Sequence, residues 1–69
     1  MRMTGIVAAW KAERGYGFVH PDDGDDDVFL HVTAVKEAMP PDVGDRVEFE
    51  IEPDRRSGRL RAVDVKVLP

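Results

Sequence analysis

No cysteine occurs in the 69 residues, which excludes disulfides and thiolate metal sites and suits a reducing compartment. Long apolar runs are missing too. The longest uninterrupted one, Ile6 to Trp10, falls far short of the roughly 20 residues that cross a bilayer. The opening residues Met1 to Gly5 lack the apolar region of a secretory signal. A soluble, cytoplasmic protein is therefore expected, with no membrane for this chain alone. Positive charge is outnumbered, with 10 lysines and arginines against 14 acids. The formal net charge is −4, whereas proteins that hold phosphates usually carry a basic surface. Nor is there length for a second domain, so residues 1–69 are expected to form one. A domain of this size buries only about 60% of its unfolded surface, which implies a thin core.

What is present is unevenly placed. Pro21 to Asp27 holds five aspartates, and Arg55 to Arg61 holds four arginines, so the separation of sign matters more than the total. Glycine and proline punctuate short apolar segments, with no repeat or linker between them. Thr4–Lys11 predicts a first strand, Gly15–His20 a second and Asp27–Val32 a third. Gly44–Glu52 alternates apolar and charged residues and predicts a half-buried fourth strand. Arg61–Val67 predicts a fifth, with Val63, Val65 and Val67 on one face. Only Thr33–Met39 has helical character, as one 3₁₀ turn capped by Thr33 and stopped by Pro40 and Pro41. The expected fold is all-β: five short strands, antiparallel, closed into a barrel so that so small a sheet keeps no open edge.

The central hairpin can be set in register. Asp23-Gly24 is a strong two-residue turn signal. Centring the hairpin there puts Phe18 opposite Phe29, Tyr16 opposite His31, Val19 opposite Val28 and Gly17 opposite Leu30. Side chains alternate faces along a strand. One face therefore reads Tyr16, Phe18, Phe29, His31, and the other Gly17, Val19, Val28, Leu30, Val32. The aliphatic face joins Val47, Phe49, Ile51, Val63 and Val65 as a core. The ring face includes a histidine, a costly member of an apolar interior, and reads as an exposed binding platform. Packing of that face under a loop or against the opposite wall is the competing reading.

A row of exposed rings suits unpaired nucleobases. Stacking on an aromatic side chain contributes roughly 1–3 kcal/mol per base and selects single strands over duplex. Alternate residues on a strand lie about 6.5–7 Å apart, close to the repeat of an unstacked strand. Cations then hold the phosphates. Lys11 and Arg14 lie near the platform, with Arg55, Arg56, Arg59 and Arg61 in the loop between strands four and five. Those loop arginines either contact phosphates or serve solubility. Trp10 either contacts a base or packs partly inside its strand.

The chain resembles a bacterial cold-shock domain. Arg14 to Val19, RGYGFV, is similar to the family's first ribonucleoprotein motif, lysine-glycine-phenylalanine-glycine-phenylalanine-isoleucine. Val28 to Val32, VFLHV, is similar to the second, valine-phenylalanine-valine-histidine-phenylalanine. MTGIV, PDDG and GDRVEFEIE also follow the family, so the likeness covers nearly the whole chain. It implies a five-stranded OB-fold that binds single-stranded nucleic acid. Tyr16, Phe18, Phe29 and His31 would take the base-stacking role and Arg14 a basic position. The departures are specific. The family's stacking tryptophan aligns with Ala9, its phosphate-contacting lysine with Ala8, and Trp10 with the adjacent phenylalanine. Val32 replaces the phenylalanine ending the second motif, and the loop before Gly44 is about two residues shorter and lacks its aromatic. The arginine-rich loop is this chain's addition. The pattern further resembles cold-shock domains fused to a membrane segment of unknown function.

The resulting expectation is a monomeric binder of single-stranded RNA or DNA, with an RNA-chaperone or expression-regulating role. Its binding set is Trp10, Lys11, Arg14, Tyr16, Phe18, Phe29, His31, Arg56, Arg59 and Arg61. It is not an enzyme and takes no cofactor, metal or small-molecule substrate. His20 and His31 share no ligand spacing, and the acidic hairpin lacks the glutamate that closes an EF-hand. The alternative is a protein-interaction barrel that has weakened or lost nucleic-acid binding.

Overall fold

The computed structural model describes residues 2–24, 26–36 and 40–69. Five strands carry the fold: β1 Met3–Lys11, β2 Tyr16–Pro21, β3 Val28–His31, β4 Arg46–Pro53 and β5 Leu60–Val67. They close into a barrel in the order β1-β2-β3-β5-β4. The pairs β1–β2, β1–β4, β2–β3 and β4–β5 are antiparallel. The closing contact of β3 with β5 is parallel, at Phe29 opposite Arg61.

Val7, Val19, Leu30, Val47, Phe49 and Val65 are fully buried, and Val28 and Ala62 nearly so. Each larger aliphatic or aromatic side chain among them contributes about 1.5–3 kcal/mol by leaving water. The β2–β3 hairpin has the expected register at all four pairs, Tyr16–His31, Gly17–Leu30, Phe18–Phe29 and Val19–Val28. Its turn differs. Gly24 N–H donates to the Pro21 carbonyl at 3.1 Å, so Asp22 and Asp23 are the central residues and Gly24, at φ 85°, follows them. The reason lies in Pro21, which stays in the sheet opposite Gly5 of β1. The ladder between β2 and β3 therefore ends at Val19–Val28 and leaves a wider loop. Asp25 in that loop lies outside the described residues.

Two bulges break the alternation elsewhere. In β1, Val7 faces Val19 while Ala9 faces Phe18, so Ala8 is an extra residue. In β5, Glu48 pairs with Lys66 and Glu50 with Val63, so the extra residue lies near Asp64. Asp64 adopts φ 53°, the left-handed region that asparagine and aspartate tolerate better than most residues. Arg2 holds it there, donating to the Asp64 carbonyl and carboxylate at 2.8 Å each. As a result the inward residues of β5 are Ala62 and Val65, three apart. Val63 is half-buried and leaves the face it was expected to share with Val65 and Val67, while Val67 packs against the core. Ile51 and Val32 are also corrections to the expected core. Ile51 lies 37% exposed near the end of β4, and Val32 is 38% exposed because β3 stops at His31.

Val32–Ala34 form the 3₁₀ turn. Its cap is His31, not Thr33: the imidazole Nδ1 accepts from Thr33 N–H at 3.2 Å. Glu37 to Met39, the remainder of the segment expected before Pro40, lie outside the described residues.

Candidate nucleic-acid interface

Alternation in β2 and β3 turns Tyr16, Phe18, Phe29 and His31 to one outer face. The first three are half-buried and His31 is exposed. Phe29 is the hub. Its ring centroid lies 5.5 Å from Tyr16 in a stacked pair, 6.0 Å from Phe18 edge-on, and 6.3 Å from His31. Tyr16 and Phe18 are themselves edge-on at 6.3 Å. Pairs in this range stabilise one another by about 0.5–1.5 kcal/mol beyond their burial, so the rings are set before any ligand arrives. His31 is oriented by its cap bond, and its Nδ1 also lies 2.9 Å from Thr33 Oγ1. A neutral imidazole accepting at Nδ1 carries its proton on Nε2, away from the turn.

The bulge at Ala8 decides what β1 adds. After it, Ala9 and Lys11 stand opposite Phe18 and Tyr16 on the ring face, while Trp10 stands opposite Gly17 on the other. Trp10 packs against the core, and its Nε1 is buried without a hydrogen-bond partner. Gly17 is required beneath it. A Cβ there would strike the Ala9 carbonyl oxygen and come within 2.9 Å of the Trp10 ring. The structure thus gathers Lys11, Tyr16, Phe18, Phe29 and His31 and sets Trp10 apart from them. Arg14 is exposed in the β1–β2 turn, with its N–H donating to the Lys11 carbonyl at 3.0 Å.

The β4–β5 loop is held by its own backbone. Asp54 N–H donates to Arg59 O at 2.7 Å, Gly58 N–H to Asp54 O at 2.8 Å, and Arg56 N–H to the Asp54 carboxylate at 2.9 Å. This folds Arg59 and Arg61 along an open groove shared with Tyr16, Phe18 and Phe29. Arg55 and Arg56 are exposed on the loop and do not line that groove. Ile51 and Leu60 do line it, and pattern reasoning misses both. Simple alternation assigns Ile51 to the core, and Leu60 carries no signal beyond its position between two arginines.

Ion pairs sort the cations. Arg2 binds Glu48, Glu50 and Asp64; Lys36 binds Asp64; Arg46 binds Asp22; Arg61 binds Glu52. Among the described residues, Lys11, Arg14, Arg55, Arg56, Arg59 and Lys66 have no such partner. All of these but Lys66, which lies within β5, sit at the end of β1, in the β1–β2 turn or in the β4–β5 loop, so the negative total does not describe the charge there. The aspartates of the hairpin are engaged differently. Thr4 donates to Asp22 at 2.6 Å and Arg46 at 2.8 Å, and these bonds hold the Asp22 carboxyl below its ordinary range. His20 Nδ1 lies 2.9 Å from Asp27, so His20 and His31 remain on separate strands. Among the described residues no group of three or more histidines or acids is placed to hold a metal ion.

Comparison with known proteins agrees with this geometry. The sequence profile described as the 'Cold-shock' DNA-binding domain matches residues 3–68. The chain is 41% identical over 64 residues to "Probable cold shock protein y4cH" of Sinorhizobium fredii, covering 90% of this chain and 93% of that one. It is 44% identical over 57 residues to "Cold shock-like protein CspG" of Escherichia coli K12, covering 80% and 81%. Among solved structures it superimposes on the Drosophila Unr CSD456 chain with a TM-score of 0.83 and 31% identity, along its whole length and 27% of that longer chain. These relatives do not bear out the further likeness to domains fused to a membrane segment. Among the described residues no helix is long and apolar enough to cross a membrane.

Proposed function

The chain belongs to the 'Cold-shock' DNA-binding domain family, and on that footing we propose that it binds single-stranded nucleic acid by stacking bases on its outer ring face. The family binds nucleic acid and is not an enzymatic one. The observation that carries the reading is the continuous contact of Tyr16, Phe18, Phe29 and His31 on the surface of the barrel. Bases stack on Phe18, Phe29, Tyr16 and His31. Lys11 and Arg14 at one end, and Arg56, Arg59 and Arg61 at the other, meet the phosphates. Trp10 supports Gly17 from within and does not stack. The ligand is RNA or DNA, the domain spans residues 1–69 and acts as a monomer in the cytoplasm, and its role is that of an RNA chaperone or regulator of expression. No cofactor and no small-molecule substrate take part.

The interaction-barrel alternative is not favoured, because family membership and unpaired cations beside the rings point the same way. The test is titration of labelled single strands of RNA and DNA against a duplex control. Binding should prefer the single strands and weaken with salt, each phosphate contact adding about 0.7 to the slope of log affinity against log salt. Equal affinity for duplex, or no dependence on salt, would remove the rings or the arginines from the site.

A further inference from the structure

Arg61 occupies a singular place. It is the register partner of Phe29 across the parallel β3–β5 contact. It lines the ring groove with Tyr16 and Phe18, and also a smaller groove with His31 and Lys36. Of the cations proposed for the interface, it stands beside the hub of the rings. Yet it is the one of those cations bound to an acid. Its Nη2 donates to Glu52 Oε1 at 2.6 Å, from the residue directly opposite on β4.

We propose that Glu52 restrains binding: it occupies Arg61 and sets a negative charge beside the phosphate path. This rests on the ring-face reading above. A guanidinium offers its donors in a fixed fork that fits carboxylate and phosphate alike, so the two anions compete for one group. The Arg61 and Glu52 side chains are 46% and 49% exposed, and water screens a pair of that kind, so it can be broken. A phosphate approaching Arg61 then meets Glu52 as well, and its attraction to the guanidinium is offset by repulsion from the carboxylate. The domain therefore binds through its rings and its unpaired cations, with the central arginine held back.

The experiment compares the wild-type chain, Glu52→Gln, Arg61→Gln and the double variant, using a short labelled oligothymidine over a series of salt concentrations. Asp42→Asn, which lines neither groove, changes net charge equally and serves as the control. Glu52→Gln should tighten binding about two- to fivefold, the range open to an exposed ion pair. Its salt slope should steepen by about 0.7, one additional phosphate contact. Arg61→Gln should weaken the Glu52→Gln protein more than it weakens the wild type. Unchanged or weaker binding by Glu52→Gln, or an equal improvement in Asp42→Asn, overturns the role of Glu52 while the ring face stands. Failure of the wild-type chain to bind the strand at any salt overturns the ring-face reading itself, and this proposal with it.

Discussion

Two of the barrel's hairpins, β2–β3 and β4–β5, differ in the continuity of their ladders. In β2–β3 every residue from Tyr16 to Val19 meets its partner in an unbroken ladder. In β4–β5 one residue near Asp64 is extra. The first hairpin therefore sorts its side chains cleanly, rings outward and Val19, Val28 and Leu30 inward. The second begins with Ala62 inward and resumes at Val65. The difference teaches that alternation is a local rule. It holds while each backbone unit stays extended, and one left-handed residue resets it. Both hairpins border the same groove, so the regular one supplies a geometry of rings and the irregular one supplies arginines on a self-bonded loop.

Stability measurements give the widest separation between the two. Leu30→Ala removes a fully buried side chain from the regular hairpin and should cost about 2–5 kcal/mol in urea unfolding. Val63→Ala, at a position that simple alternation would put inside, should cost well under half as much. Equal losses would mean that β5 is not reset at Asp64. Next is binding by the outer face. Phe29→Ala should lose roughly 1–3 kcal/mol of single-strand affinity, while the barrel still unfolds cooperatively and with a smaller thermal shift than Leu30→Ala. An unfolded Phe29→Ala would reverse the two faces.

Ala9→Trp tests the other bulge. Ala9 stands opposite Phe18 on the ring face, so a new ring there should tighten binding up to about tenfold if one base stacks at about 1.4 kcal/mol. Ala9→Leu adds apolar bulk without a π-face and should not match it. A leucine that helps as much would show that bases do not pass over that position. The smallest effect concerns Asp22 at the turn of the regular hairpin. Its bonds to Thr4 and Arg46 depress its carboxyl, so its contribution is fully present above the ordinary carboxylate range and is lost as pH falls through the depressed value. The gap in stability between wild type and Asp22→Asn should be open at neutral pH and close in acid. A gap that is constant with pH would detach the effect from ionisation.

Much of this is legible in the sequence because the regular hairpin needs only pairing and alternation. Five strands, closure, the four cross-strand pairs and the outward row of Tyr16, Phe18, Phe29 and His31 all follow from apolar spacing and turn residues. The misreadings share a physical origin. Placing Ile51 and Val63 inside carries a period of two through a strand end and through Asp64. Neither Ala8 nor Asp64 carries a local mark of a bulge. Ala8 is an ordinary residue, and what holds Asp64 is a distant arginine at position 2. The turn is displaced because Pro21 keeps its place against Gly5, a contact between strands that local turn chemistry does not register. The Arg61–Glu52 bond depends on the register of β4 with β5, which the same shift obscures.

The extra residue at Ala8 gives the first strand an unusual grammar. Upstream of it the odd-numbered Val7 faces in, and downstream the even-numbered Trp10 does. Val7 and Ala9 pair with the consecutive residues Val19 and Phe18, so loss of the extra residue would only close the bulge and leave Trp10 inside and Ala9 on the ring face. Straightening the strand with Ala8 retained would instead shift every later pair by one, turning Trp10 to the ring face and Ala9 beneath it. The bulge is thus a coarser dial on the ring face than any change of side chain, and Gly17, whose missing Cβ admits the tryptophan, is matched to the bulged register.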